Sequence, residues 1–119
     1  MDWRFTDDRP IWLQLTEQLT RRIITGVYPP GSRLPPVREL AAQAGVNPNT
    51  MQRALAQLEQ DGLAKADRTA GRLVTQDTAI LDAVRRAEAH VVVNQYYHAM
   101  AELGYSQQEA TAMLKEEEQ

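Results

Sequence analysis

Apolar residues recur every three to four positions along most of the chain, the spacing that gives a helix one inward stripe. Ile11, Leu15, Leu19, Ile23 and Ile24 form the first stripe and predict a helix starting at Pro10, with Asp7 or Asp8 as its cap. Gly26 ends it, and GVYPPG is a turn built from the two strongest helix breakers. The stretch from Leu34 to Arg53 reads LPPVRELAAQAGVNPNTMQR. Leu34, Val37, Leu40 and Ala41 line one face of a short helix, which Gly45 breaks because glycine takes a positive φ without a Cβ penalty. Val46 is placed to plug the corner. Asn47 and Pro48 restart the helix, Asn as a favoured N-cap and Pro at the first helical position. Met51, Ala54, Leu55 and Leu58 then turn inward until Gly62. Two short helices joined by a turn of about four residues containing Gly make a helix-turn-helix, the arrangement that places a helix in a DNA groove.

Beyond Gly62 the period weakens. LAKADRTAGRLVTQ holds Leu63, Leu73 and Val74 with turn chemistry at Asp67, Thr69 and Gly71, which predicts a two-stranded hairpin with its tip near Arg68–Arg72. At the other end, Trp3 and Phe5 alternate as in a short extended segment and are expected to pack on the body. From about Thr78 helical spacing returns through Ile80, Leu81, Val84, Ala87, Val91, Val92, Tyr96, Ala99 and Leu103, one helix over roughly 79–103. HVVVNQYY competes as a strand, since β-branched and aromatic residues favour one, but strong helix formers flank it on both sides. Gly104 caps this helix, and Ser106 with Glu109 forms a capping box for a last helix to about Lys115, with Ala110, Met113 and Leu114 inward. The predicted fold class is mainly α with a small β wing. A winged helix-turn-helix domain occupies residues 1–76 and a two-helix dimerisation or effector segment occupies residues 77–119.

Composition adds bounds. A length of 119 residues suits one domain plus a modest appendage, since domains run about 100–150 residues. Absence of cysteine excludes disulfides and thiolate chemistry and fits a reducing, cytoplasmic setting. The opening MDWRFTDDRP is too charged for a signal peptide, and no run of about 18 apolar residues suggests a membrane span. The net charge of −3 divides unevenly. Residues 1–76 carry ten Lys and Arg against eight Asp and Glu, or +2; residues 77–119 carry three against eight, or −5. A mildly basic front and an acidic rear suit a chain of which one face meets phosphate.

The residues then resemble a known family. Arg9-Pro10-Ile11-Trp12-Leu13-Gln14, Gly31, Leu34-Pro35-Pro36, Arg38-Glu39-Leu40-Ala41 and Val46-Asn47-Pro48-Asn49-Thr50 follow in order. Arg53-Ala54, Leu58-Glu59, Gly62-Leu63, Gly71 and Val74 complete the pattern. Over residues 9–75 the chain resembles the GntR family of winged helix-turn-helix regulators, and within it the YtrA subfamily. Leu103-Gly104-Tyr105-Ser106 with Glu109 extends the likeness more loosely into the rear. Three positions depart from the family pattern: Pro36 stands where Ser is common, Thr69 where a first wing glycine is common, and Pro48 where many relatives carry a base-reading arginine. That arginine's contact therefore does not transfer.

Several residues carry candidate chemistry. By resemblance, Arg38 contacts DNA; otherwise it forms a surface ion pair with Glu39 or another acid. Asn47, Asn49 and Thr50 lie where free helix N–H groups and the dipole favour phosphate, and Asn also pairs with adenine. Asn47 is equally explained as a cap. Gln52 is placed to meet a base edge, whereas Arg53 suits a phosphate or an acid such as Glu59. Arg68 and Arg72, placed at the wing tip, suit a minor groove or the backbone. His90 and His98 lie about 12 Å apart along a helix, too far for one ion, so no metal site is assigned. Tyr96 and Tyr97 suit either an effector pocket or dimer core, the latter being favoured.

The expectation is a sequence-specific DNA-binding transcriptional regulator, a homodimeric repressor on a palindromic operator in double-stranded DNA. The rear helices pair through Val84, Val91, Val92, Tyr96 and Met113. The resemblance implies a transporter operon as target. No cofactor is implied; a small-molecule effector of unspecified identity is compatible with the rear helices. Alternatives are a ligand-independent DNA-binding module and a metal- or small-molecule-responsive sensor. No nucleophile–base pair, phosphate loop or ligand cluster suggests an enzyme.

Overall fold

The structure, a computed structural model, describes residues 2–118. The element order is α1 (Ile11–Ile24), α2 (Val37–Ala44), α3 (Pro48–Gln60), β1 (Ala64–Asp67), β2 (Gly71–Val74), α4 (Thr78–Glu102) and α5 (Gln107–Glu116). Two compact units divide this sequence of elements, one ending at Asp82 and the other beginning at Ala83. A mainly helical fold with a two-stranded antiparallel wing is the class expected.

In the first unit Leu15, Leu19 and Ile23 of α1, Leu40 of α2, and Met51, Leu55 and Leu58 of α3 are buried. Leu63 and Val74 close the core from the hairpin, and Leu34 and Leu81 join it. Buried apolar area of this kind is the main drive for holding short helices together. The wing pairs Ala64 with Val74 and Asp67 with Gly71. A third segment lies against it. Gly31 N–H donates to Val74 O, Val74 N–H to Ser32 O and Leu34 N–H to Arg72 O, each at 2.9 Å, with an isolated bridge between Arg33 and Leu73. No periodicity announced this, because Gly-Ser-Arg-Leu carries no strand pattern of its own.

The start of α1 differs from expectation. Neither Asp7 nor Asp8 caps it: Pro10 is the N-cap residue, with no side-chain cap bond. Instead the buried Gln14 side chain ties the preceding segment down. Its amide donates to Thr6 O at 2.9 Å and to Arg9 O at 2.8 Å, and its oxygen accepts from Thr6 N–H at 2.8 Å. One side chain thus satisfies three backbone groups of the segment before α1, while the first-turn N–H groups of α1 receive no side-chain cap. Gln18 similarly brackets Arg4, and the Arg22 guanidinium lies 3.7 Å from the Trp3 ring centroid. Trp3 and Phe5 are half-buried.

HVVVNQYY is helical within α4, which contains no Gly or Pro over its 25 residues. Asp77 caps it by accepting from Ala79 N–H at 3.0 Å. In the second unit α5 opens on the predicted box: Ser106 Oγ accepts from Glu109 N–H and Glu109 Oε1 accepts from Ser106 N–H, both at 3.0 Å. These bonds hold the Glu109 carboxyl below the usual carboxylate range. Ala110 is buried and Met113 half-buried, but Leu114 is 47% exposed, as are Val91 (52%), Val92 (54%) and Leu103 (73%). The inward stripe expected of a single chain is therefore largely open in it.

Candidate nucleic-acid interface

The two helices of the motif meet at Gly45, which adopts φ 70°, ψ 35° and terminates α2. A left-handed residue reverses the chain there without the strain a Cβ would bring. Val46 N–H then donates to Ala41 O at 3.0 Å, and the Val46 side chain is half-buried at the corner. Asn47 caps α3: its Oδ1 accepts from Asn49 N–H at 2.7 Å, with Pro48 at the first helical position. That bond satisfies one donor of the first turn, and Asn47 itself is exposed. Asn49, Gln52 and Arg53 are exposed on the same helix and Thr50 is half-buried, whereas Met51, Ala54, Leu55 and Leu58 face the core. One side of α3 is thus committed to packing and the other is polar and open.

Arg38 is exposed in the first turn of α2 and has no ion-pair partner among the described residues, so the pairing with Glu39 is not formed. Arg53 does not cap Glu59. Its guanidinium carbon lies 4.0 Å from the ring centroid of Trp12, near the start of α1. Glu59 is taken by Arg72 instead, Nε to Oε1 at 2.5 Å. Arg72 is therefore not at the wing tip: it stands within β2, half-buried, joining the wing to α3. The tip is Arg68–Thr69–Ala70, and Arg68 there is exposed. Asp67 shapes the tip by accepting from Thr69 N–H at 2.9 Å, Thr69 Oγ1 at 2.9 Å and Ala70 N–H at 3.0 Å. These donors, Ala70 foremost, hold its carboxyl below the usual range. Wing and α2 face one another across a groove whose walls include Arg33, Pro36, Val37, Asp67 and Arg72.

A family model described as "Bacterial regulatory proteins, gntR family" matches residues 12–74, more than half of the chain. The chain belongs to the GntR family. It is 33% identical over 115 residues to the uncharacterized HTH-type transcriptional regulator YhcF of Bacillus subtilis, covering 97% of this chain and 95% of that protein. A GntR family transcriptional regulator from Listeria monocytogenes shares its structure with a TM-score of 0.83 at 32% identity, over 94% of this chain and 98% of that one. The DNA-binding domain of AraR, solved in complex with operator ORE1, matches 63% of this chain and 94% of its own with a TM-score of 0.54 at 25% identity. This is a GntR-type, DNA-binding transcriptional regulator and not an enzyme. Among the described residues no helix is long and apolar enough to cross a membrane, and no group of three or more His, Cys, Asp or Glu could hold a metal ion.

Two residues of this GntR-family regulator escaped the sequence reading. Arg33 stands in the segment bridged to the wing, its guanidinium beside Gly71, where a Cβ would sit 3.4 Å from Nε. Only the pairing of residues 31–34 with β2 brings it there. Trp12 entered only as part of the family motif, and its contact with Arg53 depends on how α1 packs on α3. In the second unit, Tyr96 OH donates to Ala110 O at 2.8 Å and Tyr97 OH lies 2.7 Å from Thr111 Oγ1. Both tyrosines fasten α5 to α4. His98 contacts Glu102 at 3.2 Å on an exposed face of α4.

Proposed function

We propose that this GntR-family regulator is a cytoplasmic homodimeric repressor that seats the amino end of α3 in the major groove of each half of an inverted-repeat operator. The carrying observation is the geometry of that helix end: Asn47 caps it while Asn49, Gln52 and Arg53 remain open beyond it. Asn49 and Gln52 suit base edges, and Asn47 and Thr50 suit phosphate at the positive end of the helix dipole. Arg38, Arg53 and Arg68 serve as phosphate or minor-groove contacts. Arg72 holds the wing against α3 through Glu59.

The open apolar positions of the second unit support pairing with a second copy. Val91 and Val92 are exposed on α4 and Val84 is half-buried there, while Tyr96 bonds to Ala110 of α5, on which Met113 is half-buried, to extend that surface. Twofold pairing sets two recognition helices about 34 Å apart, one turn of DNA. Occupying a promoter in this way blocks transcription. The likeness to the YtrA subfamily favours a transporter operon as target. A small-molecule effector, if the protein takes one, acts through different affinity for two dimer geometries.

Selection of bound duplexes from a random pool at one fixed salt concentration, with sedimentation of the free protein, tests this reading. The expected result is a dimer and an inverted repeat whose half-sites lie about 10 bp apart. A monomer, or a motif without twofold symmetry, overturns it.

A further inference from the structure

We propose that Trp12 is a positioning residue for DNA binding: its indole face holds the Arg53 guanidinium so that the edge donors clamp a backbone phosphate. The inference rests on the seating of α3 proposed above. Arg53 is exposed on α3, one turn beyond Asn49, with its Cζ 4.0 Å from the Trp12 ring centroid. Trp12 is the second residue of α1, half-buried, and its carbonyl accepts from Thr16 Oγ1 at 2.8 Å. Trp12 is a half-buried residue of a helix, whereas a free arginine is among the side chains with most rotamer freedom to lose on binding. Stacking removes part of that freedom before DNA arrives.

The mode of contact matters as much as its presence. A stack occupies the faces of the guanidinium and leaves its five N–H donors in the plane, in the fork that matches phosphate oxygens. A carboxylate partner would have consumed those donors, but among the described residues none pairs with Arg53, and Glu59 is held by Arg72. Held over the indole of a neighbouring helix, the guanidinium is assigned to the DNA backbone rather than to base edges. Backbone phosphate is the group within its reach. The competing account is that Trp12 merely shelters its ring beneath an arginine stem.

The test uses the full chain with two duplexes: one selected by the wild-type protein and one of mixed sequence and equal length. Fluorescence anisotropy gives Kd over about 50–200 mM salt. Arg53→Ala is expected to lower the slope of log Kd against log salt by about 0.9 per protomer on both duplexes. Trp12→Leu keeps apolar bulk without the π-face and is expected to weaken binding about two- to fivefold per protomer, with Trp12→Tyr restoring it. In an Arg53→Ala background Trp12→Leu should cost nothing further. An unchanged slope in Arg53→Ala, or an undiminished Trp12→Leu effect in that background, overturns the proposal. Should Trp12→Leu not fold, Arg53→Lys decides: it should keep the slope but bind more weakly, and wild-type affinity would overturn the stack. If the wild-type protein selects no duplex, it is the seating of α3 that fails.

Discussion

Replacing Asn47 by Asp should move stability and DNA binding in opposite directions. Asn47 Oδ1 accepts from Asn49 N–H at 2.7 Å, and an aspartate oxygen occupies the same place, so the cap is kept. The new charge lies at the positive end of α3, worth about 0.3–1 kcal/mol of added stability at an exposed site. A phosphate seated at that helix end would lie about 6 Å from the carboxylate, where repulsion runs from about 0.7 kcal/mol at the dielectric of water to about 3 kcal/mol at an effective value of 20. Binding should therefore weaken by roughly three- to 100-fold per half-site. Asn47→Ala is the control: it removes the cap and should cost about 1 kcal/mol of stability. Urea unfolding gives the first quantity and anisotropy with a selected duplex at fixed salt gives the second. An Asn47→Asp protein that is as stable as wild type and binds DNA equally well would show that no phosphate approaches this helix end.

Other outcomes follow from the same geometry. Arg72→Ala should destabilise the first unit by about 1–2 kcal/mol, because a half-buried charge-assisted bond to Glu59 is lost. In a double-mutant cycle with Glu59→Ala, a coupling energy near zero would contradict that. Leu55→Ala, at a position with no exposure, should cost about 2–5 kcal/mol in urea unfolding, and a smaller loss would mean the α3 core is not packed as described. Ser106→Ala should lower the helicity of α5 and cost about 1 kcal/mol, read by circular dichroism and melting. Asp67 bonds to Ala70 and Thr69 depress its folded pKa, so its contribution is complete above the ordinary carboxylate range and is lost as pH falls through the lowered value. NMR titration of the Thr69 and Ala70 amides should therefore show a midpoint below that of an ordinary aspartate, and a midpoint at the ordinary value would refute the wing-tip geometry.

Local chemistry made much of this legible beforehand. Gly45, Asn47–Pro48 and the Ser106–Glu109 box each specify backbone geometry within a few residues, so corner, cap and box stand where their residue types demand. The recurring apolar stripe located α1, α2 and α3 for the same reason: burial has the period of the helix that achieves it. The start of α1 carries no aspartate cap, and the segment before it is held by Gln14, eight residues beyond Thr6, a tie that residue type and spacing do not announce.

What only tertiary structure decided are pairings between segments distant in the chain. Arg72 with Glu59, Arg53 with Trp12 and residues 31–34 with β2 all join separate elements. An arginine at a given position is free, paired or stacked according to which element crosses beside it. Residue type and spacing set each element's inward face, but the partner of an outward cation depends on crossing geometry, and that emerges only when the core has been packed.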